Sequence, residues 1–191
     1  FLNHDFAKSL EVANMGLKKN PRHAAFNRLA MYNNTDLKRF EEALKAADVF
    51  FNECDKADYS YLDYMYYGHL LEELKKYDEA VGQYEKAVEL DPTKTDLYKN
   101  ISSAYEQKND YKKAIGAYHK YYSSLEKEKQ TPDLQFQLGR LYYGAGTQPD
   151  SLTINAEERK QALMSADSVF QVISEAAPDS YLGNFWRARA N

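Results

Sequence analysis

Residues 61–94 read YLDYMYYGHLLEELKKYDEAVGQYEKAVELDPTK, and residues 95–128 read TDLYKNISSAYEQKNDYKKAIGAYHKYYSSLEKE. At a shift of 34 residues, Tyr64 aligns with Tyr98, Tyr77 with Tyr111, Ala80 with Ala114, Gly82 with Gly116, and Tyr84 with Tyr118. A repeat period of about 20 to 50 residues is typical of arrays in which each repeat packs on its neighbours. The sequence therefore predicts a stack of similar structural units.

The order of small and aromatic residues within 61–94 predicts two packed helices. Gly68 and Ala80 are small where the helices would cross most closely, Tyr64 and Tyr84 would fill space on either side, and Pro92 would end the second helix. This order resembles the tetratricopeptide repeat signature, carried here by Tyr64, Tyr67, Gly68, Leu71, Ala80, Tyr84, Ala87 and Pro92. The resemblance implies an all-α fold, a right-handed superhelical solenoid of antiparallel helix pairs with about ten helices.

The same pattern extends in weaker form over the rest of the chain; in 23–55, Phe26, Leu29 and Ala30 would stand for Tyr64, Tyr67 and Gly68. It predicts a single array fragment over residues 1–191. Its parts are residues 5–21 as the second helix of a cut repeat, repeats at 23–55, 61–94, 95–128 and 132–178, and residues 180–191 as the first helix of a cut repeat. The repeat 132–178 contains about fifteen extra residues, for which glycine and proline predict a long loop near 145–155. The alternative is an ordinary helical bundle, but unrelated bundles rarely keep a repeat period.

Composition excludes several classes of function. The chain has 191 residues and a net charge of −4 with basic and acidic residues interspersed, which disfavours a nucleic-acid-binding protein. No apolar run approaches the ~20 residues that span a bilayer, so this segment is not predicted to insert into a membrane. Cys54 is the only cysteine, which excludes an internal disulfide framework.

No motif in the sequence predicts catalysis, a metal or a cofactor. The four histidines are far apart and lack metal-ligand spacing, and residues 144–148, GAGTQ, lack the strand and the Gly-Lys-Ser/Thr of a phosphate loop. Adjacent carboxylates such as Glu72 and Glu73 point in different directions on a helix, so they do not converge. We therefore expect a protein that is not an enzyme.

The predicted binding surface is the concave face that the first helix of each repeat would line. Projecting the repeat geometry gives Asn27, Arg28 and Met31, then Met65, Tyr66 and His69, then Lys99, Asn100 and Ser103, then Phe136, Gln137 and Arg140, and finally Phe185, Trp186 and Arg189. Aromatic rings supply buried area while amide and guanidinium groups fix orientation. This mixture predicts recognition of a protein or peptide partner.

The family resemblance also raises one specific kind of partner, a C-terminal carboxylate. Some co-chaperones with this fold grip a C-terminal carboxylate through lysine, asparagine and arginine at set positions, of which only Asn100 fits here. Asp133 would repel a carboxylate at such a site. We therefore expect recognition through aromatic and amide contacts.

The leading prediction is a non-enzymatic interaction scaffold that binds a peptide or protein in the groove. Two alternatives stay open: a binding module for a small molecule or saccharide, which would stack on Tyr66, Phe136, Phe185 and Trp186, and self-assembly through the array ends. The final residues PDSYLGNFWRARAN resemble repeat proteins of bacterial cell envelopes, which implies a periplasmic or envelope location.

Overall fold

The chain is almost entirely helical. The structure, a computed structural model, describes residues 5–54, 58–149, 154–176 and 181–190, with the side chains of 181–183 and 190 left out. These ranges form ten α-helices: α1 (Phe6–Lys19), α2 (Ala24–Asp36), α3 (Phe40–Asn52), α4 (Tyr61–Glu73), α5 (Tyr77–Leu90), α6 (Leu97–Gln107), α7 (Tyr111–Ser124), α8 (Pro132–Thr147), α9 (Ala156–Ala176) and α10 (Tyr181–Ala190). The predicted all-α class with about ten helices is confirmed.

The helices belong to two compact units, and the boundary between the units falls between two repeats in the sequence. The first unit is Phe1–Lys94 and the second is Thr95–Asn191. In the first unit α1 packs on α2, α2 on α3, and α4 on α5; in the second, α6 packs on α7, α8 on α9, and α10 on α9. Each predicted repeat is thus a pair of consecutive, packed helices. The arrangement of all repeats as one array stays a prediction.

The same turn joins the first and second helix of three repeats. Lys38, Lys75 and Asn109 have φ angles of 58°, 60° and 59°, the left-handed conformation in which helices commonly end. After α4, the Lys75 N–H bonds the Glu72 carbonyl at 2.8 Å and the next N–H bonds the Leu71 carbonyl at 2.8 Å. These bonds satisfy the last carbonyls of the first helix and turn the chain back along it.

These turns fix the register of the first repeat and correct the sequence alignment by one residue. Gly68 and Ser102 lie seven residues before their turn residues (75 − 68 and 109 − 102), and in the first repeat that position is Met31 (38 − 31), not Ala30. Asn27 and Met31 are 3% and 0% exposed, so the prediction that they line the groove is wrong. Arg28 and Tyr32 take their places on the helix surface.

Each helix pair interlocks through one small and one large residue. A Cβ on Gly68 would lie 2.7 Å from the Tyr84 ring, and a Cβ on Gly139 would lie 2.6 Å from the Phe170 ring. Both rings are fully buried, so the helices approach this closely only because the glycines have no side chain. In the first repeat the sizes are exchanged: Met31 takes the position of Gly68 and Ala47 takes that of Tyr84, and both are buried.

The insert begins later than predicted. α8 continues through Ala145 to Thr147, although a loop was predicted from about residue 145. Ala145 is 1% exposed and a Cβ on Gly146 would lie 2.4 Å from Leu163, so packing holds this stretch helical despite its glycines. Residues 150–153 of the insert and 177–180, where the repeat 132–178 was predicted to end, lie outside the described residues.

Two other glycines have no packing role. Gly82 in α5 and Gly116 in α7 have no atom within 4 Å of where a Cβ would stand. We expect Gly82→Ala and Gly116→Ala each to raise the free energy of unfolding by roughly 0.5–1 kcal/mol, because alanine loses less backbone entropy in a helix. Urea unfolding of both variants checks this, with Gly139→Ala as the control that should destabilise. A stabilising Gly139→Ala would contradict the packing account.

Candidate functional site

A surface pocket of about 430 Å³ lies in the second unit between α6 and α8, which are the first helices of two successive repeats. Its lining residues are Lys99, Ser102, Ser103, Glu106, Tyr118, Asp133, Leu134, Gln137 and Leu141. Tyr118 and Leu141 are buried and Leu134 is half-buried, so the floor is mainly apolar. Three predicted groove residues, Lys99, Ser103 and Gln137, thus come together at one site. Phe136 and Asn100 do not line it.

The rim of this pocket carries paired charges and hydrogen-bonding groups. Arg140 of α8 reaches Glu106 of α6, with 3.7 Å between guanidinium and carboxylate, and its Nη1 donates to Gln137 Oε1 at 3.0 Å. The Lys99 ammonium lies 5.8 Å from the centre of the Tyr121 ring. Asp133 is exposed, so the rim offers both positively charged hydrogen-bond donors and negatively charged acceptors. Such a rim can bind the main chain of an extended peptide.

Tyr118 anchors the floor of the pocket to α8. Its hydroxyl donates to the Leu134 carbonyl oxygen at 3.0 Å. Burial, and to a smaller extent the neighbouring Tyr121 and Tyr122 hydroxyls, raises the pKa of Tyr118 to about 12 from the usual 10.0. The phenol therefore stays neutral and bonded over the physiological range.

This raised pKa predicts an alkaline loss of stability. Because the folded pKa of Tyr118 exceeds its unfolded value, its contribution is fully present below about pH 10 and is lost as the pH rises through about 12. We expect the free energy of unfolding, measured in urea from about pH 8 to about pH 12, to fall less steeply for Tyr118→Phe than for the parent. Parallel curves for the two proteins would contradict this assignment.

In the first unit, the predicted residues of α4 lie beside α2. The Tyr66 ring stacks on the Tyr32 ring, with centroids 4.1 Å apart, and its hydroxyl lies 3.5 Å from the Asp36 carboxylate. Met65 is half-buried. His69 is exposed, with Nε2 3.9 Å from the Glu73 carboxylate. Tyr32, which the shifted alignment missed, therefore covers one face of the Tyr66 ring.

A buried carboxylate that sequence reasoning missed links α2 to α4. Asp63 is fully buried and accepts from Arg28 Nε at 2.7 Å, Arg28 Nη2 at 3.0 Å, the Tyr32 hydroxyl at 2.6 Å and the Ser60 N–H at 2.7 Å. Ser60 and Asp63 also form the capping box that starts α4. The spacing Ser-x-x-Asp before a helix is the sequence signal that could have revealed this role.

The predicted aromatics at the end of the second unit form one cluster between α8, α9 and α10. Trp186 packs edge-to-face against Phe136, Tyr143 and Phe185 at centroid distances of 6.0, 5.2 and 5.9 Å. The Arg189 guanidinium lies 5.7 Å from the centre of the Trp186 ring. These rings are engaged with one another and with Arg189, while 37% of Phe185 stays exposed.

Neither a metal site nor a membrane-spanning helix is found in the described part of the chain. Within those ranges, no group of three or more His, Cys, Asp or Glu side chains could hold a metal ion. No helix there combines the length and apolar character that crossing a membrane requires.

Comparison with known proteins identifies the helix pairs. A profile described as a TPR (tetratricopeptide) repeat matches residues 68–109. The C-terminal part of a TPR repeat-containing protein from Cytophaga hutchinsonii is 26% identical, with a TM-score of 0.71 over 99% of this chain and 66% of that chain. Residues 68–109 therefore match a tetratricopeptide repeat, and the chain has the fold of tetratricopeptide repeat proteins.

More distant structures share the fold of this chain. A crystal structure of MamA is 18% identical, with a TM-score of 0.64 over 90% of this chain and 92% of that one. A thermophilic TPR protein from Thermus thermophilus is 16% identical, with a TM-score of 0.53 over 97% and 90%. No curated protein matches. Proteins built from stacked repeats present extended concave surfaces that they use for binding.

Proposed function

We propose that this chain is a non-enzymatic scaffold whose α6–α8 pocket binds an extended segment of a protein partner. The single observation that carries the proposal is the composition of that pocket. Its floor is formed by Tyr118, Leu134 and Leu141, and its rim holds separate donors and acceptors. An extended peptide presents both side chains for an apolar floor and amides for a polar rim.

The pocket rim supports a peptide more strongly than a compact ligand. Lys99, Asp133 and Gln137 are all exposed, so one side of the pocket is open to solvent. Small-molecule sites usually enclose most of the surface of their ligand. The saccharide alternative is less favoured, since Tyr66 stacks on Tyr32 and Trp186 packs edge-to-face on Tyr143, which leaves less of these two rings open to a sugar.

Peptide display tests the proposal, because it selects ligands by their affinity alone. Peptides selected from a random library on the purified chain are measured by titration calorimetry against the parent and a Lys99→Ala, Gln137→Ala double variant. We expect the affinity to fall at least roughly tenfold, because the variant removes two rim contacts while both side chains are exposed. Gly116→Ala, at an open position of α7, is the matched control. Equal loss in both variants, or none in the double variant, would overturn the proposal.

A further inference from the structure

The face shared by α8 and α10 carries two arginines and few carboxylates. Phe136, Arg140 and Tyr143 follow each other at helical spacing on α8, and Trp186 and Arg189 of α10 contact the ends of that row. We name these five residues the arginine–aromatic face. α10 has no acidic residue, and α8 has only Asp133, in its first turn.

The two arginines of α10 have different partners. Arg187 pairs with Asp167 of α9 at 3.4 Å. Arg189 instead lies over three aromatic rings, at 5.8 Å from Tyr143, 5.5 Å from Phe185 and 5.7 Å from Trp186. Its Nε lies 3.4 Å from the Tyr143 hydroxyl, and no carboxylate of the described residues pairs with it. The aromatic rings therefore hold this guanidinium in place, and no carboxylate of the described ranges offsets its charge.

A guanidinium held in this way is prepared for a carboxylate. Its planar fork bonds a carboxylate through two parallel hydrogen bonds, and stacking on rings leaves the edge of the fork available. Arg140 on the same face shares its charge with Glu106 at 3.7 Å, which is a long ion pair. A carboxylate of a ligand would therefore meet Arg189, which pairs with no carboxylate in the described part of the chain, and the weakly paired Arg140.

We propose that the arginine–aromatic face binds an acidic, internal segment of the partner peptide, through a glutamate or aspartate side chain flanked by apolar residues. The inference rests on the proposed function and names the chemistry of its ligand. The apolar neighbours would contact the exposed parts of Phe185 and Trp186, and the carboxylate would bond Arg189. Arg189 is the residue on which this selectivity depends.

A side-chain carboxylate fits this face better than a chain terminus. Recognition of a terminal carboxylate commonly uses several free backbone N–H groups. The arginine–aromatic face is built from residues inside α8 and α10, whose backbone N–H groups belong to the helices. Side-chain donors, chiefly the guanidinium of Arg189, are thus what this face offers to a carboxylate.

Trp186, the only tryptophan of the chain, reports directly on this face. The probe is an acetylated and amidated heptapeptide in which three glutamates alternate with leucine and phenylalanine, titrated against the fluorescence of Trp186. A second peptide carries glutamine in place of glutamate. A third carries glutamine and a free C-terminal carboxylate.

We expect the glutamate peptide to shift the Trp186 emission and to bind at least about tenfold more tightly than the glutamine peptide. Arg189→Gln should remove that difference, whereas Arg39→Gln, an exposed arginine of the first unit, should keep it. Arg189→Lys, which keeps the charge, should retain part of the preference. Thermal unfolding by circular dichroism shows whether Arg189→Gln is as folded as the parent.

Other outcomes would overturn the inference. Equal binding of the glutamate and glutamine peptides, or a preference only for the free C-terminal carboxylate, would contradict recognition of an acidic side chain. An unchanged preference in Arg189→Gln would contradict the role of Arg189. If displayed peptides bind in the α6–α8 pocket while the Arg189 variant behaves as the parent, the proposed function stands and this inference alone fails.

Discussion

Replacing Arg28 with methionine is expected to lower the free energy of unfolding by about 3–5 kcal/mol. Asp63 has no exposure to solvent, and among the described residues Arg28 supplies the only cation that hydrogen-bonds it. Methionine keeps much of the side-chain volume but leaves the carboxylate buried without its counter-charge. The cost of that uncompensated charge, rather than the attraction within the pair, determines the size of the effect.

A matched arginine elsewhere in the first unit separates burial from ion pairing. Arg22 pairs with Glu53 at 3.2 Å, but both side chains are largely exposed. Arg22→Met should therefore cost less than about 1 kcal/mol. Urea unfolding of both variants, followed by circular dichroism, gives the comparison. Similar small losses in the two variants would show that the Asp63 network does not hold α2 against α4.

The second large effect concerns the interlocked residues Gly68 and Tyr84. Tyr84→Ala should cost about 3–5 kcal/mol, because it empties a buried site and removes the hydrogen bond to Glu72. Gly68→Met alone should also destabilise, since a Cβ would lie 2.7 Å from a ring that cannot move. Combining Gly68→Met with Tyr84→Ala places a large residue and a small residue where the first repeat has them, since Met31 takes the position of Gly68 there.

We therefore expect the double variant Gly68→Met, Tyr84→Ala to be more stable than Tyr84→Ala by about 1–3 kcal/mol. Gly82→Met combined with Tyr84→Ala is the control, because Gly82 faces open space and should show no coupling. Denaturant unfolding of all the single and double variants completes the cycle. Additive losses in the Gly68 pair would mean that the two residues do not compete for one space.

The fold could be predicted because its signal is repeated. Gly68, Tyr84 and their equivalents at a shift of 34 residues recur where helices must approach closely, and a packing constraint of this kind leaves a mark in the sequence. This pattern is harder to recognise in the first repeat, because large and small residues are exchanged between its two helices. Ala30 was aligned with the small position in place of Met31. The predicted groove residues of α2 were therefore displaced by one residue, so that they included Asn27 and Met31, which are buried.

The site was predictable only in part, because a surface depends on neighbours that are distant in sequence. Lys99, Ser103 and Gln137 were identified from helix phase alone and do line one pocket. Phase does not reveal that Arg140 pairs with Glu106 or that Arg189 lies over the Tyr143 ring, since those contacts join different helices. The end of α8 was missed for the same reason: packing against Leu163 overrides its glycines.

Site-specific photocrosslinking tests the central claim, peptide binding in the α6–α8 pocket, most directly. A photoreactive amino acid is placed at Gln137, on the pocket rim, or at Gly116, at an open position of α7. Each protein is irradiated with a peptide selected on the parent chain, and the crosslinked residue pairs are located by mass spectrometry. The account predicts crosslinks from position 137 that excess unlabelled peptide abolishes, and none from position 116. Crosslinks of equal yield from both positions, or from position 116 alone, would contradict it.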